Sequence, residues 1–397
     1  MSPVRRHDVV VVGGGNAGIS LAAKLLRDGC RDVAVVEPKA VHHYRPLLSY
    51  VAGGAATLDD LTRPQERAMP SAVHRYADRA TAVDADAGEV VLAGGTRLAY
   101  GDVVVCPGSE VDLDAVPGLR EAFATLHAAT SYLVDHAPRT WRMLSGLTSG
   151  RAVFVVSDRH VPCAPVGLKP LFLAADHWRR TGALDDVEID LLLEGPHLAG
   201  LARADRELRA AAQRYGVRVR TRSTVTRVDA SARTLEVTSP DGPGTVGYDA
   251  LYVAPPHRAP AWVAASGLAG AGSDGFVDVD PGTLQHRAHP RVWALGDVAT
   301  VATSPSGGAL RKQVPVVAHN IAARRTGAPV RRYDGYTVAP VTTSRTRLLL
   351  AEHDRDGRAE PTVPFPDLTR PSRSLYLFDR YVEPLVYWHR LLRGKVS

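Results

Sequence analysis

Val9-Val10-Val11-Val12-Gly13-Gly14-Gly15-Asn16-Ala17-Gly18-Ile19-Ser20-Leu21-Ala22-Ala23-Lys24-Leu25 is a β-branched apolar run, a glycine turn and the start of an amphipathic helix, in that order. Gly13 permits the tight turn, Gly15 lets a backbone approach a pyrophosphate, and Gly18 lets helix and strand pack closely. Asn16 and Ala17 open the helix, where unpaired amides and the macrodipole favour an anion. A second apolar run, Val33–Val36, ends in Glu37, about 20 residues beyond the last glycine, where a carboxylate binds an unphosphorylated ribose. A glycine turn alone is a weak signal. Strand, helix and downstream acid together make it a dinucleotide site.

Working outward, apolar runs at Asp102–Cys106, Arg151–Val156, Val187–Leu193 and Leu251–Ala254 alternate with helical or turn-rich segments. That alternation predicts an α/β chain with parallel sheets. Two antiparallel ribbons are expected to interrupt it, around Ala80–Leu98 and Val217–Val246. A last apolar strand, Arg291-Val292-Trp293-Ala294-Leu295-Gly296-Asp297, ends in Gly-Asp and returns the chain to the first domain. A carboxylate at Asp297 suits a ribityl chain, so FAD is favoured over NAD.

The 397 residues carry a formal net charge of +6. The cations are mostly Arg, scattered through an Ala- and Gly-rich chain without a DNA or RNA motif, so no nucleic-acid partner is expected. No apolar window reaches the roughly 18–20 residues that span a bilayer, and no signal-peptide run precedes Val9, so the reading is cytoplasmic. Three cysteines are too few for a disulfide framework, and the histidines lack ligand spacing, so no metal is expected.

Across nearly its whole length the chain resembles the sulfide:quinone oxidoreductases, within the wider group that includes flavocytochrome c sulfide dehydrogenase and type II NADH dehydrogenase. The resemblance is carried by Gly13–Ser20 with Val33–Pro38, and by His42–Gly54, Val277–Val298, Arg311–Ile321, Arg331–Val341 and Ser374–Gly394. It implies two Rossmann-like dinucleotide-binding domains of the glutathione reductase-like flavoprotein type and a C-terminal domain. The FAD domain would comprise 1–110 and 275–325, the second domain 111–274 and the C-terminal domain 326–397. It further implies that Gly13, Gly15, Ala17, Glu37, Arg45, Gly108 and Asp297 contact FAD, with Asn16, Gly18, Ala80 and Gly296 completing the set. Amides near Gly308 and Ala309 would face the flavin pyrimidine edge, where helix-terminal donors stabilise an anionic reduced ring. The implied donor is a sulfide or persulfide and the implied acceptor a quinone.

The chain departs from that pattern in several places. The strand Arg151–Val156 runs into Ser157-Asp158-Arg159-His160-Val161-Pro162-Cys163 instead of a second glycine turn, so NAD(P)H is not expected to bind. Cys163 matches one redox cysteine of the family, but Ala339 stands where the second belongs, Tyr132 matches a further cysteine of some members, and Pro305 replaces a lysine. Cys163 precedes an apparent helix, whose N-terminus would lower its pKa, and His160 is a candidate base for it. Cys106 reads as packing, and Cys30 has no assigned role. The chain stops at Lys395-Val396-Ser397, short of the amphipathic stretch by which relatives sit at a membrane. Tyr381–Arg393 mixes aromatic and basic residues that suit a bilayer surface, although such a segment more often docks on its own core. Three readings follow: a sulfide- or persulfide-oxidising flavoenzyme, a soluble flavoenzyme acting on an organic small molecule, and a non-catalytic flavin-binding protein. Oligomeric state is not legible.

Overall fold

The computed structural model describes residues 4–395; residues 1–3 and 396–397, including the terminal Val396 and Ser397, lie outside them. Strand β1 (Arg5–Val12) starts before the apolar run because Arg5, Arg6 and His7 pair in parallel with Leu98, Ala99 and Tyr100. Helix α1 (Asn16–Arg27) follows the glycine turn and buries Ile19, Leu21, Ala22 and Leu25 against the sheet. The parallel set continues with β2 (Val33–Val36) and β3 (His74–Tyr76). The first ribbon is β4 (Ala80–Asp84), β5 (Glu89–Leu92) and β6 (Arg97–Val105), with β6 forming both a ribbon arm and a core strand. The sheet order is β3-β2-β1-β6-β5-β4.

A second, fully parallel sheet of five strands combines β7 (Ala128–Ala129), β8 (Gly150–Val156), β9 (Val187–Leu193), β10 (Arg218–Arg220) and a later strand, Ala250–Ala254. Helix α2 (Lys169–Thr181) lies between β8 and β9 and buries Leu171, Phe172, Ala175 and Trp178. The second ribbon, β11 (Thr224–Asp229), β12 (Thr234–Ser239) and β13 (Gly242–Gly247), is antiparallel and leads into β14 (Ala250–Ala254).

The chain then re-enters the first sheet as β15 (Val292–Ala294), parallel to β6, and continues into α3 (Leu310–Thr326). A buried knot fixes this return. The Trp293 indole N–H donates to Asp102 Oδ1 (3.1 Å), and Arg324 and Arg325 grip the same carboxylate at 2.9 Å each. Two antiparallel strands, β16 (Thr337–Ser344) and β17 (Arg347–His353), precede the C-terminal segment. There a short helix (Arg373–Leu377) and a wide π turn (Phe378–Val382) lead into α4 (Glu383–His389). One face of this segment docks on the protein. Tyr387, Trp388, Leu391 and Leu392 are buried, each worth roughly 1.5–3 kcal/mol, and Tyr387 Oη meets His42 Nε2 at 2.5 Å. The other face exposes Leu377, Phe378, Tyr381, Val382 and Leu385.

Candidate functional site

The glycine turn is built as its sequence requires. Gly13 has φ +109° and packs so tightly on the end of β6 that an added Cβ would lie 2.4 Å from the Cys106 carbonyl oxygen. A Cβ on Gly18 would lie 1.8 Å from the Gly13 oxygen, the close helix–strand approach expected of that position. Gly15 differs in kind, because a Cβ there would meet no protein atom within 4 Å. Its backbone faces open space at the first turn of α1, beside Asn16 and Ala17. Glu37 sits at the end of β2, where Oε2 accepts from Gly14 N–H (2.8 Å) and Oε1 from Lys39 N–H (2.9 Å). Gln65, which sequence reasoning missed, donates to the Gly14 oxygen at 2.7 Å from behind the turn. Ala80 opens β4 just beyond β3, whose Tyr76 oxygen accepts from Glu37 N–H at 2.9 Å. Gly108, φ +78°, follows β6 with the space at its own Cβ open.

The second set of loops lies across the ends of β15 and β6. Gly296 N–H donates to Gln313 Oε1 of α3 at 2.9 Å, which ties the Gly296-Asp297 turn to the helix behind it. Among the described residues the Asp297 carboxylate accepts no hydrogen bond; burial holds it above the usual carboxylate range, and the Arg45 guanidinium acts in the opposite sense. Arg45 itself donates to the Tyr132 oxygen (2.9 Å). Gly307, Gly308 and Ala309 form the entry to α3, and a Cβ on Gly308 would lie 2.2 Å from Val338 Cγ1. The groove fits FAD: a bare backbone at Gly15, a carboxylate at the end of β2, an unpartnered carboxylate at Asp297, and the Gly307-Gly308 backbone at the entry to α3, where the Ala309 N–H donates to Ser306 Oγ (3.2 Å).

Cys163 stands at this entry. Its N–H donates to the Pro305 oxygen (2.7 Å), and its Sγ lies 3.5 Å from the Val338 oxygen, so the thiol touches both the loop before α3 and the strand that carries Ala339. The expectation of a lowered pKa is overturned. A 3-10 turn (Ala164–Leu168) intervenes before α2, Cys163 adopts φ +50°, and burial pushes its thiol up to about 12 against the smaller opposing pulls of Lys169 and the Val166 N–H. His160 is not placed as its base: its Nε2 pairs with Asp274 Oδ2 at 3.0 Å and its ring stacks on Phe276. Cys106 is buried at the Gly13 turn, its thiol pushed well above the ordinary range by burial, and Cys30 is half-buried away from these loops.

The charged neighbour of Cys163 is a residue that the sequence concealed. Lys169, 1% exposed, donates from Nζ to Asp379 Oδ2 (2.8 Å), which also accepts from Tyr50 Oη (2.6 Å). The ammonium also lies 4.3 Å from the centre of the Tyr50 ring. The available signal was a lysine inside an apolar helix start, Leu168-Lys169-Pro170-Leu171-Phe172. Tyr132, which stands where some members carry a further cysteine, donates its hydroxyl to the Pro162 oxygen (3.2 Å), next to the thiol. Glu194, at the end of β9, accepts at Oε2 from Ser157 Oγ (2.6 Å) and Asp158 N–H (2.8 Å), much as Glu37 does from Gly14, but the turn it holds is Ser157-Asp158-Arg159-His160 and offers a second dinucleotide no bare glycine backbone.

Residues 7–155 match the pyridine nucleotide-disulphide oxidoreductase family. The chain is 30% identical over 391 residues to the mitochondrial sulfide:quinone oxidoreductase of Dictyostelium discoideum, covering 98% of this chain and 86% of that protein. It is 30% identical over 393 residues to the mouse (Mus musculus) mitochondrial enzyme of the same name, covering 98% and 87%. Among solved structures, the sulfide:quinone oxidoreductase of Aquifex aeolicus superposes with a TM-score of 0.83 at 17% identity, covering 99% of this chain and 92% of that one.

Proposed function

The chain belongs to the sulfide:quinone oxidoreductase family and is an FAD-dependent oxidoreductase, and from that premise we propose that it oxidises sulfide on a single cysteine, Cys163, and passes the electrons to a quinone. The observation that carries this reading is the seat of Cys163, held between the Pro305 oxygen and the Val338 oxygen at the entry to α3. Gly13, Gly15, Asn16, Ala17, Gly18 and Glu37 would hold the adenosine and pyrophosphate half of FAD, with Ala80 beside them. Arg45, Gly108, Gly296, Asp297, Gly308 and Ala309 would hold the flavin half. When bound, FAD accepts the two electrons released as Cys163–SH and H2S become Cys163–S–SH and two protons.

The residues of the chain set the conditions for that step. Lys169 favours the thiolate against the burial that opposes it, and Tyr132 packs the far side of the loop. Ala339 offers no second thiol, so the outer sulfur leaves on an external thiol: RSH attacks the persulfide, forming RS–SH and restoring Cys163–SH. Ala339 is buried within the second apolar core, which argues against a cavity widened there for an organic substrate. The side chains of Ser157, Asp158, Arg159 and His160 at the turn after β8, where a second dinucleotide would need glycines, argue against NADH as donor.

Leu377, Phe378, Tyr381, Val382 and Leu385 are exposed, and Leu385 shares a surface depression with Arg63, Arg67 and Arg393, a combination that suits a bilayer surface from which a quinone is drawn. No helix among the described residues is long and apolar enough to cross a membrane. The deciding experiment is anaerobic titration of the flavin-loaded protein with sulfide, with and without glutathione. Wild type should bleach at the flavin absorbance and turn over only with added thiol. Cys163→Ser should keep its flavin and fail to bleach; bleaching by that variant would defeat the assignment.

A further inference from the structure

At the opposite end of the parallel strands from the glycine turn, three side chains meet that have no part in the site above. His7 lies on β1, Asp32 just before β2, and His74 at the start of β3. Their nitrogen and carboxylate oxygen atoms all fall within 4.8 Å of one another. His7 Nδ1 lies 2.6 Å from Asp32 Oδ1, and His74 Nε2 lies 3.6 Å from the same oxygen. The spacing of these residues along the chain hides the cluster. It exists because β1, β2 and β3 are adjacent and parallel, with Val9 opposite Val33 and Ala34 opposite His74.

The geometry points to a divalent cation site of zinc type, held by His7, Asp32 and His74 with a fourth position open to water. We infer this from the donor set and from what lies behind it. Two imidazoles and a carboxylate are the ligands of a borderline-soft cation, and three protein ligands plus water are an established coordination pattern. Ligand atoms around a tetrahedral zinc sit roughly 3.3 Å apart, given bonds of about 2.0 Å. The three atoms need shift by only fractions of an ångström to an ångström or so, and exposed His74 is free to do so. Behind the ligands, His7 Nε2 lies 2.8 Å from Tyr76 Oη. A hydrogen bond there directs Nδ1 at the carboxylate and fixes the ring, as outer partners of metal-bound histidines do. His7 is buried, Asp32 is half-buried and His74 is exposed, so the site is anchored on one side and open on the other. Binding would place the cation between His7 Nδ1 and Asp32 Oδ1, with the imidazole proton carried on Nε2 toward Tyr76 Oη. By joining the starts of three strands, the cation would stabilise the N-terminal edge of the sheet.

The test uses tag-free, flavin-loaded protein treated with chelator and dialysed, then titrated calorimetrically with ZnCl2, and with Co2+ to read its visible d–d band. One cation per chain is expected, with a rise in Tm. His74→Gln and Asp32→Asn should each weaken binding at least about tenfold, and Tyr76→Phe about tenfold through loss of the outer hydrogen bond. His289→Gln, at a separate histidine pair, should change nothing. The flavin spectrum verifies that each variant is folded. Absence of saturable binding to wild type, or binding that persists unchanged in both His74→Gln and Asp32→Asn, would overturn the site. Because the cluster lies away from the flavin loops, either result leaves the assignment of Cys163 untouched.

Discussion

Replacing Lys169 by Met separates the two consequences of its burial. The Lys169–Asp379 pair is enclosed, with side chains 1% and 12% exposed. Removing one member of a buried pair strands the other charge, at a cost of about 3–5 kcal/mol. Asp379 keeps the Tyr50 hydroxyl at 2.6 Å, which places the loss near the lower bound, about 3 kcal/mol. For 397 residues unfolding as one unit, the per-residue unfolding entropy converts this to a fall of roughly 3–4 °C in Tm. The same substitution removes the largest influence favouring the Cys163 thiolate. Peptide-resolved alkylation of Cys163 at pH 8 should therefore slow by about threefold or more, each tenfold corresponding to 1.36 kcal/mol. The pH profile has a definite sign. With the thiol raised to about 12, the wild-type alkylation rate should climb about tenfold per pH unit from pH 7 to 10 without levelling. Pairing Lys169→Met with Asp379→Leu removes the stranded charge and should regain most of the stability, but none of the reactivity. The reasoning fails if Lys169→Met costs less than 1 kcal/mol and leaves alkylation unchanged.

Gly15→Ala and Gly18→Ala should behave differently, since a Cβ on Gly15 meets no protein atom and one on Gly18 meets the Gly13 oxygen at 1.8 Å. Gly15→Ala should fold normally and bind FAD at least about tenfold more weakly, whereas Gly18→Ala should fail to fold; equal FAD affinity in Gly15→Ala would remove the pyrophosphate from that position. Asp102→Asn leaves Arg324 and Arg325 facing an uncharged amide and, because both guanidinium groups keep access to water, should cost about 1–3 kcal/mol in denaturant melts with little change in reduction rate once flavin is bound. Burial lowers His42 to about 4 from 6.5, so the unfolded chain binds the proton first on acidification. Stability should fall by about 3 kcal/mol as pH drops from 6.5 to 4, and the slope should flatten in His42→Gln; an unchanged slope would mean that His42 is not held neutral.

What could be read from the sequence was what local spacing encodes. The Val9–Val12 run, the glycine turn and Glu37 lie within one strand–helix–strand unit, and their geometry depends on few distant residues. The return strand at Val292–Ala294 was equally legible, because Gly296-Asp297 marks its end. The reactivity of Cys163 was not. A helix N-terminus downstream predicts a lowered pKa, but the chain makes a 3-10 turn first, and burial outweighs what Lys169 and the Val166 N–H supply. The partner of Lys169 is 210 residues away, and that of His42 is 345 residues away, so no local pattern announces either. The His7, Asp32 and His74 cluster is likewise a product of sheet register. Nothing in the residues between them indicates it.

The Lys169–Asp379 pair also bears on how the thiol and the exposed apolar face are related. Asp379 lies in the π turn Phe378–Val382, between a short helix and α4, the stretch that exposes Leu377, Phe378, Tyr381 and Val382. Arg380, its neighbour, donates to the Ala55 oxygen (2.7 Å) and to Asp60 (2.9 Å), while Arg311 at the start of α3 pairs with Glu383. The C-terminal segment is thus fastened to the helix that follows Gly308 and Ala309, to the Tyr50 segment and to the cation beside Cys163. A buried charge is costly unless paired, so Lys169 is held where it favours the thiolate only while the segment carrying Asp379 remains docked. The exposed face and the Cys163 thiol therefore share one set of contacts.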